Sequence, residues 1–136
     1  MTTVTPVKRT VTELTVDECL RLLEHQYVGR IATVRDGLPL VQPVNYVLHE
    51  GCVVIRLDYG RLLDEIHGSQ VAFEVDDIDP LYHSGWSVVV QGRAEEVWHP
   101  AELEVLRELP LRPWAPGDRD HYVRILPRSI TGRRIG

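Results

Sequence analysis

The chain has 136 residues, 43% hydrophobic and 26% charged, with a formal net charge of −5; this is enough apolar material for one core and leaves no room for a second domain. The acidic balance argues against a protein that binds nucleic acid by neutralising phosphates, and no apolar stretch approaches the roughly 18–20 residues of a membrane span. The opening MTTVTPVKRT lacks the apolar segment of a signal peptide, so the expected location is cytoplasmic.

Residues 1–12 are expected to form a flexible or partner-crossing arm on a single domain. The stretch Thr15-Val16-Asp17-Glu18 then carries a capping-box pattern, a hydroxyl followed three residues later by a carboxylate. Leu20, Leu22, Leu23 and Tyr27 follow with helical spacing, which predicts an amphipathic helix over 15–26. VGRIATV, LPLVQPVNYVL and CVVIRL are rich in β-branched residues and separated by Arg35-Asp36-Gly37 and His49-Glu50-Gly51. They predict three antiparallel strands joined by hairpins.

A short helix is expected over 61–67, because Leu62, Leu63 and Ile66 share a face. Val71 to Val75 reads as a strand, DDIDPLYHSG as a polar loop, and Trp86 to Trp98 as the longest strand, bent or bulged at Gly92. Pro100 suits the first turn of another helix through AELEVLREL. PLRPWAPGD is turn-rich, and HYVRILPRSITGRRI closes the chain as a last strand that would break at Pro127.

Six strand runs with tight turns and few helices imply a mainly β fold, a closed or nearly closed antiparallel barrel with peripheral helices. One strand has two apolar faces. Leu38, Leu40, Val44 and Tyr46 lie on one side, Val41, Pro43 and Val47 on the other. A strand packed on a single core is polar outward, so the second face needs a cover, and a homodimer partner or a flat ligand would provide one.

Candidate chemistry centres on CVVIRLDYGRLL. Arg61 stands where a helix begins, facing the positive end of the dipole, which is disfavoured by roughly 0.3–1 kcal/mol. A carboxylate such as Asp58 or Asp64, or a bound anion, would relieve it. The six histidines show no ligand-like spacing, Cys19 and Cys52 form no C-x-x-C pair, and no metal site is expected. Ser84 and Ser87 flank Gly85-Trp86 without a nucleophile motif. Glu74, Asp76, Asp77 and Asp79 read as a solvated strand end. Arg119, Arg124, Arg128, Arg133 and Arg134 crowd the C-terminal stretch, where a second anionic ligand, a dimer contact or a lid fits them.

VGRIATVRDGLPLVQPVNYV, VVIRLDYGRLLDEI, VAFEVDD and GWSVVVQGRAEEV, in this order and spacing, resemble the FMN-binding split-barrel family of the pyridoxamine 5′-phosphate oxidase type, in its short actinobacterial form. The likeness runs from about Thr15 to about Val97. It implies a six-stranded antiparallel split barrel that dimerises, with FMN in grooves at the subunit interface. By this resemblance Pro43, Val44, Asn45 and Tyr46 line the isoalloxazine edge. Arg56, Gly60, Arg61 and Leu62 hold the phosphate, and Trp86, Ser87 and Val88 help wall the cofactor. Two departures stand out. Arg61 follows Gly60 directly, where many relatives have an extra residue before a basic one, and the C-terminal substrate segment of the vitamin-forming oxidase has no counterpart.

The resemblance implies an FMN-dependent oxidoreductase passing electrons from a reduced nicotinamide to a small organic acceptor. The alternatives are a non-catalytic binder of flavin, haem or another flat ligand, and a deazaflavin-dependent reductase whose cofactor's acidic tail meets the C-terminal arginines. No catalytic acid or base is identified, which suits a protein whose cofactor carries the chemistry.

Overall fold

The computed structural model describes residues 10–111 and 121–136. Strand β1 (Val11–Glu13) leads into helix α1 (Val16–Leu23). The predicted capping box is present: the Thr15 side chain accepts from the Glu18 amide, and the Glu18 carboxylate accepts from the Thr15 amide. These bonds lower the Glu18 pKa, the Thr15 amide most. The helix stops short of the expected residue 26, because Tyr27 already hands its carbonyl to the Tyr46 amide at 3.0 Å.

Strands β2 (Val28–Arg35), β3 (Leu38–His49) and β4 (Cys52–Leu57) follow as two hairpins. Their two-residue turns, Asp36-Gly37 and Glu50-Gly51, have positive φ at both positions, 52° and 79°, then 50° and 75°. Such turns match the twist of the strands they join. Helix α2 (Arg61–Ile66) comes next, then β5 (Gln70–Asp79) and β6 (Ser84–Glu96).

The β5–β6 hairpin corrects the expected loop over 76–85. Its ladder runs through Asp76↔Ser87 and Ile78↔Gly85 to Asp79↔Ser84. Pairing to β6 overrides the poor strand propensity of aspartate, and Asp79 Oδ1 accepts from the Leu81 and Tyr82 amides to close the turn. Helix α3 (Pro100–Arg107) starts at Pro100 as expected, and β7 (His121–Ile135) ends the chain. The N-terminal arm over residues 1–9, most of the turn-rich segment at 112–118, and Arg119 lie outside the described residues; Val11 and Thr12 of the expected arm are paired in β1.

The strand order is β1-β7-β4-β3-β2-β5-β6 with β6 also pairing β7. Strands β2 to β7 therefore close a six-stranded antiparallel barrel, and β1 adds to the last residues of β7. Pro127 does not break β7. Gln91 pairs with Ser129 and Gly92 with Pro127, so Arg128 is the extra residue of a bulge at the predicted Gly92.

The barrel interior is the main core, in which Ile31, Val53, Ile55, Phe73, Val75, Val88 and Val123 are nearly inaccessible. A second, smaller cluster forms outside the barrel wall, where Val54, Val97, Leu106, Leu111 and Tyr122 pack with Val47 under α3. Part of the second apolar face of β3 thus finds its cover within the chain. No helix among the described residues is long and apolar enough to cross a membrane.

Candidate functional site

Strand alternation sorts the predicted site residues into two sets. Val44, Tyr46, Trp86 and Val88 are buried in the barrel core. Pro43, Asn45, Arg56 and Ser87 project from the opposite, outer face. Side chains of the first set cannot reach a ligand outside the barrel; only their backbone can. The Tyr46 ring meets Phe73 edge-on with centroids 5.1 Å apart, and its hydroxyl donates to the Leu23 carbonyl at 2.6 Å. Burial raises its pKa further, so Tyr46 is no proton donor to an external ligand. Trp98 is exposed and lies outside the core.

The two arginines also part company. Arg61 bonds to Asp36 Oδ2 and to Glu65 Oε1, both at 2.9 Å, and Arg35 joins Glu65 at 2.6 Å. The carboxylates expected to relieve Arg61 were Asp58 and Asp64; the actual ones are one helical turn onward and in the β2–β3 turn. Arg56 stands elsewhere, its guanidinium 5.6 Å from the Tyr122 ring centroid. Gly60 is extended at φ 165°, with open space where a Cβ would be, and Leu62 packs half-buried on the main core.

On the outer face the structure assembles a trough that the sequence did not single out. Ala32 of β2 pairs directly with Ala72 of β5, and two methyl groups in place of larger side chains leave a hollow. One part, about 390 Å³, is bounded by Val41 and by Arg30, Glu74 and Asp76. A wider part, about 640 Å³, extends past the same alanines toward Gln70, Gln91, Arg128 and Ser129. The signal was present as alanines at outward positions of IATV and VAFE, where an antiparallel strand facing water carries polar groups.

One end of the trough is charged. Arg30 bonds at 3.0 Å to both Glu74 and Asp76. Glu74 is pushed up to about 7, mainly by desolvation and then by its hydrogen bond and charge repulsion with Asp76, which outweigh Arg30. The acidic set expected to be a merely solvated strand end thus contributes two members to the trough wall.

The barrel is split beside this face. β3 pairs β2 along Leu38–Asn45 but β4 only along Tyr46–His49. From Leu38 to Asn45, β3 has no ladder partner on its far edge among the described residues. The Tyr46 amide points toward β2, so by alternation Pro39, Val41, Pro43 and Asn45 direct their backbone nitrogens to the open edge. Two of these are prolines, which have no N–H to leave unpaired there. Val41 retains its donor. Beyond this edge Asn45 also lines a hollow of about 270 Å³ with Tyr27, Pro110 and Leu111.

A closed six-stranded antiparallel barrel, split along one strand and carrying a trough on its outer wall, defines the structural class. Residues 15–134 match the pyridoxamine 5′-phosphate oxidase family, and the chain belongs to that family. It is 39% identical to the uncharacterised protein Rv0080 of Mycobacterium tuberculosis, over 93% of this chain and 87% of that one. It is similar to the structure of the FAD-binding protein of Mycobacterium smegmatis, with 38% identity, TM-score 0.79, and coverage of 90% of this chain and 98% of that one. A FAD-binding protein of Mesorhizobium loti gives 26% identity, TM-score 0.78, and coverage of 95% and 99%.

Proposed function

We propose that this chain is a homodimeric flavin-dependent oxidoreductase whose flavin lies in the outer trough, between Ala32 and Ala72 and the open edge of β3. The trough carries the reading, because its alanine floor, beside a stretch of β3 that has no second strand partner among the described residues, suits a flat ring with polar rim atoms. Val41 offers a backbone donor to that rim, Arg56 offers the phosphate a charge-assisted partner, and Ser87 projects toward the same face. Arg61 is held by Asp36 and Glu65, and Arg56, outward on β4 next to the split in β3, is the arginine proposed to meet the phosphate. The flavin supplies hydride and electron transfer; the protein binds it, orients it and excludes water.

The dimer follows from what remains uncovered. Val28 and Val34 of β2 and Val41 of β3, all on the outer face, are 41%, 63% and 59% exposed. Exposed apolar side chains grouped on one face of a sheet mark an interaction surface, and a second copy would cover them together with the cofactor. A reduced nicotinamide is the proposed electron donor and a small organic molecule the acceptor.

FMN is the first choice of cofactor. FAD is the second, favoured by the two similar structures described as FAD-binding proteins, and it contains the same riboflavin phosphate. Adding FMN and FAD separately to the purified protein, with absorbance and gel filtration, tests both. Uptake of one flavin by a dimer, bleached by reduced nicotinamide, is expected. Ala72→Trp, an outward substitution, should leave the fold intact and weaken flavin uptake at least about tenfold. A protein that takes up neither flavin at micromolar concentration rules the proposal out.

A further inference from the structure

Glu74 and Asp76 leave the outward face of β5 two residues apart, and one guanidinium nitrogen holds both. Arg30 Nη1 lies 3.0 Å from Glu74 Oε1 and 3.0 Å from Asp76 Oδ2. A single donor shared by two acceptors keeps the two carboxyl groups within reach of each other. Arg30, Glu74 and Asp76 are the charged residues lining this part of the trough, and the β6 residue across from Glu74 is Val89. One cation therefore faces two carboxyl groups. Neighbouring carboxylates withdrawn from water do not both ionise readily, so the pair keeps a proton near neutral pH. Glu74, pushed up to about 7, is the group that holds it.

The place of this proton gives it a use. Register sets Arg30 opposite Glu74 and Ala32 opposite Ala72, so the carboxyl pair begins in the row next to the alanine floor, about 7 Å along the strand from it. A flat molecule lying on the alanines has the Glu74 carboxyl at its margin. The Glu74 and Asp76 side chains are 33% and 28% exposed, enough for water to return a proton. Tyr46 cannot serve instead, because its hydroxyl is committed to the Leu23 carbonyl inside the barrel.

We infer, resting on the flavin reading above, that Glu74 is a catalytic proton donor to the acceptor bound in the trough, with Asp76 and Arg30 as its positioning residues. The O–H bond of Glu74 breaks and an O–H or N–H bond forms on the acceptor as it takes a hydride from the reduced flavin. The acceptor is reduced by two electrons, the flavin is oxidised by two, and water restores the proton to the Glu74 carboxylate. Asp76 raises the proton affinity of Glu74, and Arg30 holds the two side chains together.

Infrared difference spectra of the flavin-free chain over about pH 5–9 should show a carboxyl titrating near 7. This band should be absent in Glu74→Gln and move to lower pH in Asp76→Asn, which removes the like charge. The flavin-loaded protein, reduced beforehand, is then oxidised by menadione, which takes up protons, and by ferricyanide, which takes electrons alone. In wild type the ratio of the menadione rate to the ferricyanide rate should fall as pH rises through the infrared midpoint. Glu74→Gln should lower that ratio at least about tenfold at about pH 6 and remove the inflection. Asp76→Asn should move the inflection together with the infrared midpoint.

The inference is overturned by a flavin-loaded Glu74→Gln whose ratio equals that of wild type, or by no Glu74 carboxyl titrating between about pH 6 and 8. Should Glu74→Gln not fold, a wild-type ratio that is flat with pH, or infrared and rate midpoints that part in Asp76→Asn, overturns it. Flavin uptake, followed separately by absorbance, tells two failures apart. A chain that takes up no flavin overturns the flavin reading and the proton donor with it, whereas an unchanged ratio with flavin bound overturns the role of Glu74 alone.

Discussion

The Tyr46 hydroxyl on β3 donates at 2.6 Å to the carbonyl oxygen of Leu23, the last residue of α1. Helix ends leave carbonyls without intrahelical partners, and this one is buried against the barrel, where only a side chain can satisfy it. The bond ties the helix to the strand that also carries the open edge. Tyr46→Phe leaves the carbonyl unsatisfied and is expected to destabilise the protein by about 1–3 kcal/mol. Urea unfolding monitored by circular dichroism gives the value. Flavin affinity of the folded variant should be unchanged, since the ring faces inward.

Glu74 makes stability depend on pH. Its ordinary value is 4.5 and its folded value about 7, so between these limits the folded protein holds a proton that the unfolded chain has released. The folded state binds more protons in that window, and stability falls as pH rises through it. Glu74→Gln should flatten this slope and be relatively more stable above pH 7. Urea midpoints measured from about pH 4.5 to 8 compare the two; parallel curves for wild type and variant contradict the assignment.

Gly92 cannot accept a side chain. A Cβ there would lie 2.0 Å from the Leu126 carbonyl oxygen and 2.8 Å from its carbon, backbone atoms that cannot rotate away. Gly92→Ala should therefore cost about 3 kcal/mol, the upper end of the range for overpacking, and disturb the Arg128 bulge. Thermal unfolding is the measurement. A variant within about 0.5 kcal/mol of wild type would show that the bulge relaxes freely.

Arg56 and Arg61 should separate in their effect on flavin binding. Arg56→Ala is expected to weaken it by about 1.5–3 kcal/mol, the loss of a charged hydrogen bond. Arg61→Ala removes an exposed contact to Asp36 and one of the two arginine partners of Glu65, which keeps Arg35, and should change stability by about 1 kcal/mol with little change in flavin affinity. Fluorescence titration with FMN and with FAD distinguishes the two. A larger loss from Arg61→Ala would place the phosphate at the start of α2 instead.

Much of the fold could be read along the chain because its determinants are local. Thr15 and Glu18 are three residues apart and cap each other, and Asp36-Gly37 and Glu50-Gly51 are turns whose backbone conformation those residues favour. Period-two patterning placed the strands. The aspartates at 76–79 misled, because their propensity is local while their pairing partners, Ser84 to Ser87, lie across a turn. Of the residues that the resemblance assigned to the cofactor, Pro43, Asn45, Arg56 and Ser87 project outward, whereas the side chains of Val44, Tyr46, Trp86 and Val88 fill the core and leave only their backbone to meet a ligand.

The sequence by itself determined the kinds of element, their order, their tight turns and the presence of more apolar surface than one core uses. Only the tertiary structure decided where that surface goes. Val47 and Val54 are covered by α3, whereas Val41 and the Ala32–Ala72 pair remain open beside the split in the barrel. It also decided that Arg61 meets Asp36 and Glu65. The physical reason is range: capping and turn chemistry act within a few residues, whereas Ala32 meets Ala72, and Arg30 meets Glu74, only once the sheet has brought distant strands into register.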